Sequence, residues 1–124
     1  PMSYFPQQVQ RLRDNSMDSY EVAPKEESDL YHLSILLLGP EDSPYEGGTF
    51  TLTLSIPIGY PIKPPKITFH TQIFHRCVSL NGSLKMKVLL EENGWSQVLN
   101  LRCILHGMIR VVKDGWDIWL RDTE

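Results

Sequence analysis

The chain has 124 residues, of which 41% are apolar, 22% charged and 10% aromatic. That suits one globular domain, leaves no room for two independent cores and is too apolar for a disordered segment. The formal net charge of −3 argues against an indiscriminate nucleic-acid binder, and the apolar runs fall short of the ~18 residues of a membrane span. Two cysteines, Cys77 and Cys103, cannot build a disulfide framework, and no Cys/His cluster has zinc spacing, so neither a metal nor a cofactor is expected. Pro1 to Phe5 lack the charged and apolar regions of a signal peptide, so a reducing interior, cytoplasm or nucleus, is the expectation. The charge is uneven: residues 1–62 carry a net −6 and residues 63–124 a net +3.

In chain order, Ser3 to Asp14 reads as a short helix with Pro6 in its first turn and Val9 and Leu12 facing a core. Tyr20 to Ala23 is a short strand stopped by Pro24. Leu30 to Leu38 is a second strand that starts by alternating and ends in Leu36-Leu37-Leu38, a run that predicts both faces covered at that end. After the Gly39 to Pro44 turn, Phe50, Leu52, Leu54 and Ile56 alternate with Thr49, Thr51, Thr53 and Ser55, the pattern of a strand with one buried and one wet face. Thr51 and Thr53 would then lie on the face open to partners. Tyr60 to Pro65 is too proline-rich for helix or central strand, and Lys66 to His70 is a last strand with Ile67 and Phe69 on one face.

Thr71 to Trp95 sustains no period and reads as a loop of about 25 residues, a length that is usually functional. Asn81-Gly82-Ser83 within it matches a glycosylation sequon but is read as turn chemistry. Asn100 is a good N-cap for a helix whose apolar stripe runs through Leu101, Ile104, Leu105, Met108 and Val112, interrupted by Gly107 and broken at Asp114-Gly115. Trp116 to Glu124 is one more turn of helix or a mobile end. Helix, four antiparallel strands, long loop, helix argues an α+β meander covered on one face.

Two segments then resemble a known family. Gly39 to Phe50 is similar to the second-to-third strand turn of ubiquitin-conjugating enzymes, and Tyr60 to Ile67 to their tyrosine-proline-rich loop. Phe74-His75, Asn81-Gly82 and Trp95-Ser96 follow in the family's order, so the resemblance runs from about Tyr20 to Val112. It implies a single ubiquitin-conjugating-enzyme-like (UBC-like) domain over residues 1–124, short of the family's C-terminal helices. It also implies a place in ubiquitin or ubiquitin-like modification.

That family holds the modifier's C-terminus as a thioester on one cysteine and passes it to a lysine. Such chemistry needs a thiolate, an amide to support the oxyanion and polar groups to prepare the incoming amine. The resemblance breaks at those positions. The family's histidine-proline-asparagine reads His75-Arg76-Cys77, and its isoleucine-cysteine-leucine-aspartate reads Leu84-Lys85-Met86-Lys87. Lys85 stands in the nucleophile's place, and a lysine amine, with a reference pKa of about 10.4, is mostly protonated and would give a dead-end amide if acylated. A catalytically silent variant, or pseudoenzyme, follows as the expectation.

The alternative is an atypical or engineered conjugating enzyme. Cys77 would then be a relocated nucleophile, its thiol pKa lowered by His75 and Arg76. Otherwise Cys77 is an inert, partly buried cysteine, and Cys103 is structural. His75 is expected as a hydrogen-bond partner within its loop, while His32, His70 and His106 suggest no partner.

For contacts, the resemblance points to Pro61, Ile62 and Lys63 as one ligase-binding loop and to Ser96, Gln97 and Val98 as an altered second one. Ile62 packed under its prolines is the competing reading. Arg11 and Arg13 are what remains of the basic helix that meets the activating enzyme. The expected partners are ubiquitin or a ubiquitin-like modifier, an active conjugating enzyme or a ligase. Arg76, Lys85 and Lys87 make the degenerate site basic, which favours an acidic partner surface.

Overall fold

The computed structural model describes residues 5–14, 19–25, 29, 31–86, 89, 95–96 and 100–115. Helix α1 spans Phe5–Asp14, and strands β1 Tyr20–Pro24, β2 His32–Leu38, β3 Thr49–Ser55 and β4 Lys66–Phe69 precede helix α2, Leu101–Asp114. The strands form one antiparallel sheet in the order β1-β2-β3-β4.

Alternation decides which face is buried. Leu33, Ile35 and Leu37 of β2, Leu52 and Leu54 of β3 and Ile67 and Phe69 of β4 point inward and join one core with Val9 and Leu12 of α1 and the α2 stripe. Each fully buried leucine contributes about 1.5–3 kcal/mol by leaving water. Strand β2 keeps its alternation to the end: Leu36 and Leu38 are 40% and 47% exposed. The expectation of two covered faces is therefore corrected. The pleat carries Leu36 and Leu38 outward beside Thr51 and Thr49 of β3, and hydrophobicity alone does not draw a second layer over them.

Thr53 departs the other way. It is buried, and its Oγ1 lies 2.6 Å from His70 Nε2, so Thr51 rather than Thr53 represents the open face. His32 also has a partner, Asp29 Oδ2 at 2.8 Å from its Nδ1.

The turn between β2 and β3 needs Gly39, because a Cβ there would lie 1.6 Å from the Tyr45 carbonyl oxygen. Asn100 caps α2 by accepting the Cys103 N–H at 2.9 Å, and Gly115 closes the helix by donating its N–H to Val111 O at 3.1 Å. Cys103 itself is exposed on α2 and takes no part in the core, which corrects its structural reading. Gln8 joins three elements. Its Oε1 accepts the Tyr60 hydroxyl at 2.6 Å and the Leu101 N–H at 3.1 Å, which fixes α1 against the Tyr60 loop and the start of α2.

Candidate functional site

The segment from His75 to Met86 lies beyond β4, on an irregular extension of the sheet. Phe69 N–H donates to Gly82 O at 2.7 Å and Leu84 N–H to Ile67 O at 3.0 Å, so residues 82–84 run along the β4 edge. On their other side Ser79 N–H reaches Ser83 O at 3.0 Å and Lys85 N–H reaches Cys77 O at 2.7 Å. Cys77 and Lys85, eight positions apart in the chain, are thus joined by a hairpin that brings their backbones together.

Asn81 and Gly82 make the turn. Gly82 has φ +91°, and a Cβ there would sit 2.1 Å from Phe69 O. Asn81 Oδ1 accepts the Ser83 N–H at 3.1 Å and the Ser79 hydroxyl, as the turn reading predicts. That oxygen is therefore engaged in the loop itself.

His75 is buried, and both ring nitrogens serve the fold. Nε2 lies 2.9 Å from Val111 O of α2, and Nδ1 accepts the Cys77 N–H at 3.0 Å. Both contacts are to backbone groups, so neither ring nitrogen faces a side chain. The ring also lies 5.8 Å from that of Tyr45, whose hydroxyl donates to Phe74 O at 2.5 Å.

Cys77 is 6% exposed. The contact from His75 Nδ1 goes to the Cys77 backbone N–H. Burial pushes the Tyr45 phenol up, and Cys77 raises it further. Arg76 and Lys85 are exposed, whereas Leu84 and Met86 on either side of Lys85 are buried. The hairpin thus exposes Lys85 to solvent and buries Cys77. Among the described residues no group of three His, Cys, Asp or Glu side chains gathers as a metal site would. Lys87 lies outside the described residues.

A second feature stands apart from the hairpin. The Tyr60–Pro61 bond is cis, Tyr60 is buried, and Ile62 and Lys63 N–H groups both donate to Gly59 O at 2.8 and 3.0 Å. Trp95 Nε1 donates to Pro61 O at 2.8 Å, which brings the Trp95-Ser96 segment to this loop. Ile62 is 76% exposed on the resulting platform, so it does not pack under its prolines. Lys63 and Ser96 are exposed beside it, Pro61 is half-buried, and Gln97 and Val98 lie outside the described residues. Arg11 and Arg13 are exposed on the last turn of α1.

A family model described as "Ubiquitin-conjugating enzyme" matches residues 5–116. The chain belongs to the ubiquitin-conjugating enzyme family. The structure of human ubiquitin-conjugating enzyme E2 G1 is similar throughout, with a TM-score of 0.84 and 32% identity over 90% of this chain and 93% of that one. As a family member with this fold, the chain takes its place in the ubiquitin conjugation pathway. The sheet and the first helix are those expected from the sequence resemblance. Sequence reasoning missed Gln8; its contacts to residues 52 and 93 positions away leave no periodic signal.

Proposed function

We propose that this family member is catalytically silent and acts as a binding module that regulates an active conjugating enzyme, a ligase or ubiquitin itself. The observation that carries this reading is the site's inversion. An exposed Lys85 amine stands where the family resemblance puts the nucleophile, while the nearby Cys77 thiol is 6% exposed. Acyl transfer through sulfur needs an accessible thiolate. An amide formed on Lys85 would have no leaving group suited to onward transfer. The Ile62 platform, by contrast, is held by Trp95 and Gly59 and open to a partner, the arrangement of a single exposed anchor on a fixed loop.

The reading is tested by titrating isotope-labelled protein with purified ubiquitin, an active conjugating enzyme and a ligase domain in turn. We expect saturable shifts at Ile62 or around Lys85 with at least one of the three, and a tenfold or greater loss of that affinity in Ile62→Ala or Lys85→Glu. Absence of saturable binding to all three would contradict a binding role.

A further inference from the structure

Beyond β4 the chain leaves the ladder but keeps the alternation of a strand. The His70 and Thr71 N–H groups both donate to Thr51 O, at 2.8 and 3.3 Å, and there the pairing with β3 ends. From Gln72 to Cys77 the side chains still alternate: Gln72, Phe74 and Arg76 are exposed, and Ile73, His75 and Cys77 are buried. The backbone groups of Gln72 and Ile73 make no hydrogen bond to another described residue. An extended segment with an unpaired backbone is an edge on which another strand can be laid.

A cleft of about 590 Å³ opens along this segment, within the ~300–1,000 Å³ of ligand sites. Residues 69–75 and the hairpin turn 78–82 line it. Phe74 and Leu80, one from each, are 82% and 107% exposed and stand outside the core. Two large apolar side chains that face water at one cleft mark a contact surface. The charge beside it has one sign. Arg76 follows Phe74 on the same exposed face and forms no ion pair with a described residue. In the sequence no acid occurs between Glu46 and Glu91, a stretch that holds the whole cleft lining together with Lys63, Lys66, Arg76, Lys85 and Lys87.

We infer that this cleft receives an extended peptide segment of a partner protein, laid along Gln72 and Ile73 as an added strand. An apolar side chain of that segment meets Phe74 and Leu80, and an acidic one two residues away meets Arg76. The spacing follows from the pleat. Phe74 and Arg76 are two apart and share a face, so the residues that meet them are two apart on one face of the incoming strand. Main-chain hydrogen bonds supply the part of the affinity that is blind to sequence, and the three exposed side chains supply the choice. Neither Ile62 nor Lys85 lines the cleft, so the inference stands apart from catalytic silence and from the Ile62 platform.

The test is a titration of isotope-labelled protein with the end-capped peptide Thr-Leu-Thr-Glu-Thr, beside Thr-Leu-Thr-Lys-Thr and Thr-Ser-Thr-Glu-Thr at the same ionic strength. We expect saturable amide shifts confined to the cleft, with a Kd of about 1 mM or tighter, and at least fivefold weaker binding of both control peptides. Phe74→Ala and Arg76→Glu should each weaken the first peptide at least fivefold, and Arg76→Glu should turn the preference toward the lysine peptide. Both side chains are exposed, so the fold is kept, which the remainder of the spectrum checks. Adjacent backbone groups of an extended chain point to opposite sides. Strand addition should therefore slow hydrogen exchange at one of the Gln72 and Ile73 amides and leave the other unchanged. Equal binding of the three peptides, shifts that never saturate, affinity unchanged in both variants, or exchange unchanged at both amides would overturn the inference. So would the same shifts on raising the protein concentration alone, which would assign the cleft to a second copy of this chain.

Discussion

His75 serves the fold with both ring nitrogens, one on Val111 O and one on the Cys77 N–H. His75→Ala should therefore destabilise the domain by about 1–3 kcal/mol, since it removes the acceptor of the Cys77 N–H and one of the two donors to Val111 O; urea unfolding measures it. A catalytic imidazole would instead keep a nitrogen free for substrate. Gly82 belongs to the same hairpin. With φ +91° and Phe69 O at 2.1 Å from any added Cβ, Gly82→Ala should cost more than about 1 kcal/mol in the same assay. Asn81-Gly82 was legible from sequence because turn chemistry is local. The placement of Cys77 was not. Its backbone pairs with Lys85 across the hairpin, a contact not encoded in adjacent residues.

Among the elements, α2 was the most legible. Its N-cap Asn100, its apolar stripe and its stop at Gly115 all stand in the sequence as local signals, and the structure adds only Val111 to the buried set. Strand β2 was misread where three leucines run together, since alternation and hydrophobicity disagree there and the pleat decides. The exposed position of Cys103 follows from helix phase. Gly107 is the weak point of α2. A Cβ there would meet Met86 Cε at 3.4 Å, an ordinary contact with a flexible side chain, so Gly107→Ala should stabilise by up to about 1 kcal/mol; thermal melting tests it. The Tyr60 loop carries a pH dependence. Burial, partly offset by the bond to Gln8, pushes its phenol up to about 12, against an ordinary 10.0. Stability from the neutral phenol is complete below pH 10 and is lost as pH rises toward 12. Tyr60→Phe should flatten that alkaline decline, as denaturant midpoints across this range would show.

At the scale of the whole molecule, the charge polarity of −6 and +3 takes on a location. Lys63, Lys66, Arg76 and Lys85 are all exposed, and they cover the Ile62 platform and the hairpin. An acidic partner would bind there with an affinity that falls as salt rises. The fold supplies the family's scaffold, the hairpin exposes Lys85 and buries Cys77, and Ile62 is exposed on its loop. Catalytic silence is the central claim, and charging tests it most directly. The chain is incubated with ubiquitin-activating enzyme, ubiquitin and ATP, beside an active conjugating enzyme, and resolved without and with reductant. The account predicts no reductant-sensitive ubiquitin adduct on this chain. A reducible adduct that Cys77→Ser abolishes would contradict it.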